Sequence, residues 1–152
     1  DVEDLAKINP MADLKKDPSL EVKQIPGIGW QFITLNTQKA PFNKPEVRRA
    51  LAYAIDRDAI IQGVFQGQAR RLDGPVGAST FGYNPDLPVR YRYDPERAKQ
   101  LLAEAGYPNG VDVELSTPVG RYTQDKQASE AVAAPMPREA PVTTKTGSMI
   151  EP

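Results

Sequence analysis

Residues 30–64 read WQFITLNTQKAPFNKPEVRRALAYAIDRDAIIQGV, and this stretch decides the fold. Its first part alternates and is rich in aromatic and β-branched residues, which predicts a strand near 30–37. Four side chains of one parity share a face of that strand: Trp30, Phe32, Thr34 and Asn36. Two prolines then end the strand. Apolar residues recur afterwards at helical spacing, which predicts a helix near 45–62 with Asn43 as its N-cap.

The segments on either side of this stretch predict an α/β fold. A short helix is expected over 1–16, and the other predicted elements are strands near 20–25 and 111–116 and helices near 94–105 and 122–134. The helix near 94–105 has the clearest boundaries, because Asp94 is suited to the N-cap and Gly106 to the left-handed position after the last turn. Together the elements predict a small mixed sheet with covering helices.

The last eighteen residues, PMPREAPVTTKTGSMIEP, differ from the rest of the chain. Their prolines cannot lie inside a helix without a cost of about 3 kcal/mol each, and they show no apolar period. We therefore expect 135–152 to be an extended or disordered tail, separate from a partial lobe over 1–134.

The composition excludes several classes of function. The net charge is −1, with 19 basic and 20 acidic residues, so a basic surface for nucleic acid is not expected. The sequence contains no histidine and no cysteine, the commonest general base and the usual soft metal ligand. Asp56 and Asp58 point to different faces of the predicted helix, so they do not form a carboxylate pair. No apolar run approaches the ~20 residues of a membrane span. The sequence predicts no catalytic residue, no metal site and no cofactor.

Two motifs carry a resemblance to a known family. The segments LNTQKAPFNKPEVRRALAYAIDRDAII (35–61) and YDPERAKQLLAEAGYPNG (93–110) resemble the family 5 extracellular solute-binding proteins. The resemblance runs from about residue 2 to residue 133 and covers a minor part of a usual member. It implies a piece of a longer protein, from the start of the second lobe of a type II periplasmic-binding-protein-like fold. The crossing between the lobes would lie near 30–45.

The resemblance also implies a function. Members of this family capture peptides or similar small solutes, without catalysis, for an ABC permease at the periplasmic or extracellular face of the membrane. Their crossing strand runs along the floor of the cleft, which makes Trp30, Phe32, Thr34 and Asn36 candidate ligand contacts. The alternative is that Trp30 and Phe32 belong to the core and that Asn36 caps a turn. The family's charged ligand anchors lie mostly outside this segment, so we expect the chain alone to bind solute poorly.

Two other functions stay open at this point. The chain is alternatively a stand-alone interaction module whose proline-rich tail is a ligand for another domain, or an enzyme that uses carboxylates only. An isolated part of a lobe would also leave sheet edges uncovered, so self-association is expected.

Overall fold

A computed structural model describes residues 14–23, 25, 27 and 29–134, and the backbone of 143–146. The helices are α1 (Pro45–Ala54), α2 (Arg57–Gly63), α3 (Pro95–Glu104) and α4 (Asp125–Ala133), and the strands are β1 (Glu114–Thr117) and β2 (Thr143–Thr146). Among these described residues, no helix combines the length and apolar character that a membrane crossing requires. The helix predicted over 1–16 falls almost wholly outside them.

The single helix predicted over 45–62 is wrong, because the chain breaks it at Ile55 and Asp56. Ile55 has an extended backbone, and the Asp56 carboxylate accepts a hydrogen bond of 2.9 Å from the backbone N–H of Ala59. An aspartate that caps a new helix competes with continuation of the old one. The result is two helices, α1 and α2, in place of one.

The start of α1 also differs from the prediction that placed Asn43 at the N-cap. Lys44 holds that position and Pro45 follows in the first turn. The Lys44 ammonium donates to the carbonyl of Ala105 at 2.7 Å and lies 4.9 Å from the ring centre of Tyr107. Carbonyl groups at the end of a helix interact favourably with a cation, so this contact is stabilising. It joins the start of α1 to the end of α3.

The helix predicted near 94–105 is confirmed as α3. The Asp94 carboxylate accepts from the backbone N–H of Arg97 at 2.9 Å, and Gly106 has φ of +89° directly after the helix. Helix α3 packs on α1, and the buried cluster between them consists of Ala50, Ala54, Ala98 and Leu101, with Tyr53 and Leu102 packed against it. Three of the four buried members are alanines, so the two helices lie close together.

The sheet in the described part of the chain is a parallel pair. Strand β1 pairs with β2 in a register that places Glu114 opposite Thr143 and Thr117 opposite Thr146. The strand predicted near 111–116 is therefore present, shifted toward the C-terminus. Four residues of the expected tail are extended and paired, and the rest of 135–152 lies outside the described residues. The division of the chain at residue 134 stays a prediction.

The strands predicted near 20–25 and 30–37 are wrong for the described residues of those segments, which carry no strand. Alternation of side chains sets the two faces of an extended segment but supplies no neighbour for its backbone. Strand pairing depends on another segment of the chain, and the described residues offer none at these two places.

Candidate functional site

Two aromatic rings lie uncovered on the segment before α1. Trp30 is 49% exposed and Phe32 is 65% exposed, and their ring centroids are 4.6 Å apart. Residues two apart in an extended segment share a face, which explains the contact. We call these two rings the aromatic pair. Neither ring belongs to the buried core of the described residues, where the alternative expectation had placed both.

The other two candidate residues of the same parity behave differently. Thr34 is exposed. The side-chain oxygen of Asn36 accepts from the backbone N–H of Gln38 at 3.0 Å, and the Asn36 carbonyl accepts from Lys39 N–H at 3.2 Å. Asn36 thus closes a turn, as its alternative interpretation expected. The structure brings Trp30 and Phe32 together and leaves Asn36 engaged in local structure.

A turn over 118–124 lies next to the aromatic pair. The side-chain amide of Gln31 donates to the carbonyl of Thr123 at 2.9 Å. Because Gln31 separates the two rings in sequence, this hydrogen bond makes the pair and the turn neighbours in space. The turn directly follows Thr117, the last residue of β1. In open sheets with parallel strands, ligands bind at the carboxyl ends of the strands, so the turn holds a position typical of a ligand contact.

One buried carboxylate organises this turn. Asp125, which is 7% exposed, accepts four backbone hydrogen bonds: from Gly120 at 3.1 Å, Arg121 at 2.9 Å, Tyr122 at 3.0 Å and Lys126 at 2.7 Å. These bonds, led by the one from the Tyr122 N–H, lower the pKa of Asp125 from its ordinary value, although burial opposes them. The carboxylate is therefore charged at neutral pH.

The turn presents a cation on an aromatic support. Arg121 and Tyr122 are both exposed, and the guanidinium carbon of Arg121 lies 5.4 Å from the Tyr122 ring centre. We missed this residue pair in the sequence, where 122–134 was predicted to be helical throughout. The observed helix begins only at Asp125. The sequence feature that could have indicated this turn is a Gly-Arg-Tyr tripeptide that follows a predicted strand and precedes an aspartate.

Hydroxyl groups hold the base of the turn. The Ser129 hydroxyl, on α4, lies 2.7 Å from the Thr117 hydroxyl and 2.8 Å from the Asp125 carbonyl oxygen. These contacts tie the end of β1 to the first turn of α4. The site therefore combines exposed aromatic rings and a guanidinium on a fixed base, which is chemistry for binding. Over the part of the chain that the structure describes, no three acidic side chains gather as metal ligands.

Comparison with known proteins identifies relatives of this arrangement. A family model described as bacterial extracellular solute-binding proteins, family 5 Middle, matches residues 1–136. The chain is 44% identical over 105 residues to heme-binding protein A of Haemophilus influenzae, covering 69% of this chain and 19% of that protein. It is 39% identical over 112 residues to the dipeptide-binding protein of Escherichia coli, covering 73% and 21%.

Solved structures give the same result for the fold. The structure is similar to the periplasmic binding protein DppA of Helicobacter pylori in complex with the peptide STSA, with a TM-score of 0.80 and 30% identity over 93% of this chain and 27% of that one. HbpA2 of Haemophilus parasuis gives a TM-score of 0.78 and 37% identity over 91% and 28%. The predicted fold class, an α/β part of a type II periplasmic-binding-protein lobe, is confirmed. The chain spans about a fifth of the length of the curated relatives it matches. It belongs to family 5 of the bacterial extracellular solute-binding proteins, which work on the periplasmic or extracellular side of the cell membrane.

Proposed function

We propose that this chain contributes one wall of the solute site in the non-catalytic binding component of an ABC import system, and that the solute is peptide-like. The observation that carries the proposal is the exposed aromatic pair beside a turn that presents Arg121. Two similar proteins support the solute class: one is named a dipeptide-binding protein, and another was solved with a bound peptide.

The chemistry of the two features suits the two parts of a small peptide. The rings of Trp30 and Phe32 offer flat apolar area to a side chain, at a low cost in conformational entropy. The Arg121 guanidinium offers paired N–H donors to a carboxylate. A small peptide with a free C-terminus carries both groups.

The mechanical role is a second part of the proposal. The segment near 30–45 would be the crossing between two lobes, and closure about that hinge would present the solute to the permease. The contact between Lys44 and the end of α3 supports this, because it gives the C-terminal side of the crossing a fixed attachment. In family members, the other charged side chains that anchor the ligand lie mostly outside the segment to which this chain corresponds. We therefore expect only millimolar affinity from the chain alone.

Two related dipeptide probes test the proposal. Ala-Phe and its C-terminal amide differ only in the carboxylate, and each is titrated into the ¹⁵N-labelled chain. We expect shifts confined to residues near 29–37 and 118–124, with tighter binding of the acid. Arg121→Ala should weaken binding of the acid about tenfold, since a bidentate, charge-assisted contact between a guanidinium and a carboxylate is worth about 1.4 kcal/mol. Binding of the amide should stay unchanged.

Arg49→Ala is the matched control, because it removes an exposed arginine from α1, which is part of neither the aromatic pair nor the 118–124 turn. It should leave both dissociation constants unchanged. Equal binding of acid and amide by the unaltered chain would contradict the role of Arg121. Shifts spread over α1 and α3 would contradict the location of the site.

Assembly of the chain is a separate proposal. In the part of the chain that the structure describes, β1 and β2 form a two-stranded sheet, and a sheet of that size is marginally stable unless further strands or helices pack with it. We expect self-association at micromolar concentration, measured by light scattering during size-exclusion chromatography. A single species with the mass of one chain, 16.7 kDa, at all concentrations would contradict it.

A further inference from the structure

We propose that Asp125 is a positioning residue for solute recognition: its carboxylate fixes the backbone of the 118–124 turn and so determines where the Arg121 guanidinium stands. This inference rests on the proposed function, in which Arg121 meets the solute. Asp125 itself would not touch the solute, since its carboxylate faces the turn's backbone.

The direction of the hydrogen bonds carries the argument. An aspartate at a helix start ordinarily accepts from N–H groups further along its own helix, as Asp94 does from Arg97. Asp125 is the first residue of α4, yet three of its four bonds come from Gly120, Arg121 and Tyr122, which precede it. Consecutive N–H groups that converge in this way form a nest for an anion, and the chain's own carboxylate fills it.

The turn depends on that carboxylate for its shape. Gly120 has φ of +77° and Gln124 has φ of +56°. Residues with a left-handed backbone conformation therefore lie on both sides of Arg121 and Tyr122. A non-glycine residue such as Gln124 holds this conformation only where its surroundings compensate for it. Three backbone donors would lose their acceptor without the carboxylate, and the turn would then open to water.

The carboxylate is itself held in place from the sheet. Ser129 lies within hydrogen-bond distance of both the Asp125 carbonyl and the Thr117 hydroxyl at the end of β1. A continuous series of contacts thus runs from β1 through α4 to Asp125 and from there to the backbone of Arg121. These contacts fix the backbone position from which the exposed Arg121 side chain extends, and a recognition site needs such a fixed position.

The first test follows the turn in the unaltered chain as pH falls. Because hydrogen bonds lower the pKa of Asp125, its hold on the turn is complete above the ordinary aspartate pKa and is lost as pH falls through the lowered value. We expect the amide signals of Gly120, Arg121 and Tyr122 to shift together with the carboxyl carbon signal of Asp125. The other charged side chains on the turn, on α4 and on the elements packed against α4 are Arg121, Lys126, Glu130, Glu114, Arg57 and Asp58. The carboxyl carbon signal separates Asp125 from the acidic members of that set.

The second test uses Asp125→Asn, which keeps one acceptor oxygen and replaces the other by a donor. We expect the Arg121 side-chain N–H and the Tyr122 ring signals to move toward the values of an unstructured turn. The preference for Ala-Phe over its amide should fall at least about threefold. The amide signals of α1 and α3 should keep their positions. Asp94→Asn is the control, since it weakens one helix cap and leaves the turn intact.

Three results would overturn the proposal. The first is unchanged Arg121 and Tyr122 signals in Asp125→Asn. The second is turn amide signals that do not follow the Asp125 carboxyl signal in the unaltered chain. The third is an equal loss of binding for the acid and the amide in Asp125→Asn, which would mean a general structural role. If the unaltered chain shows no preference for the acid, the proposed function fails, while the turn signals still decide whether Asp125 positions Arg121.

Discussion

Replacing Leu101 by alanine is expected to lower the free energy of unfolding by about 3 kcal/mol, within the range of about 2–5 kcal/mol for buried leucines. Leu101 is 3% exposed, and the other members of its buried cluster are alanines. Those small side chains have few atoms with which to fill the space that the leucine leaves. Since a whole domain is stable by only about 5–15 kcal/mol, this one change should remove a large share of the total.

Urea denaturation followed by far-ultraviolet circular dichroism measures the effect. Leu20→Ala is the matched control, because Leu20 is 49% exposed and does not belong to the buried cluster between α1 and α3. We expect it to change the free energy of unfolding by less than about 0.5 kcal/mol. Similar losses in the two variants would mean that the contact between α1 and α3 does not hold the helices together.

Helix boundaries were predictable where the signal was local. Asp94 and Gly106 bracket α3 as the sequence indicated, because a cap and a left-handed glycine act within a few residues of the helix end. The break between α1 and α2 was also local but was missed. The apolar period continues through Ile55, and the competing signal is one side chain, Asp56, that turns back to cap. Periodicity describes a face of a helix and is insensitive to such a cap.

Strand pairing was the part that could not be derived from short windows. The alternation over 30–37 correctly grouped Trp30 with Phe32, yet it could not show whether a neighbouring strand exists. Conversely, Thr143–Thr146 is polar and follows several prolines, and it nevertheless pairs with β1. Both outcomes have the same cause, because backbone pairing is decided by residues far away in the chain.

The candidate site shows the same limit. The aromatic pair was named from the sequence, since parity alone places the two rings on one face. The turn that presents Arg121 was missed, because its shape comes from the Asp125 carboxylate and its location from Gln31, which lies 92 residues before its partner Thr123. A contact between residues so far apart in sequence cannot be predicted from the local pattern of polar and apolar residues.

Trp30→Ala is expected to weaken binding of the Ala-Phe probe about thirtyfold. A tryptophan at the centre of a binding surface is worth about 2 kcal/mol or more when it is truncated, and the change also removes the ring contact with Phe32 at 4.6 Å. Because Trp30 is half exposed and outside the buried cluster, the free energy of unfolding should change little. The same urea measurement that is used for Leu101→Ala verifies this.

The control for Trp30→Ala is Phe81→Ala, which removes a fully exposed ring from the loop between α2 and α3. Trp30 is the single tryptophan of the chain, so its fluorescence reports binding directly in the unaltered protein and in Phe81→Ala. Amide shifts of the 118–124 turn report it in Trp30→Ala, where the fluorophore is absent. If loss of exposed aromatic area were the whole cause, both variants would bind equally weakly. A loss of binding in Trp30→Ala but not in Phe81→Ala would instead show that the apolar part of the solute contacts the aromatic pair. Dissociation constants of the two variants within twofold of each other would exclude that contact.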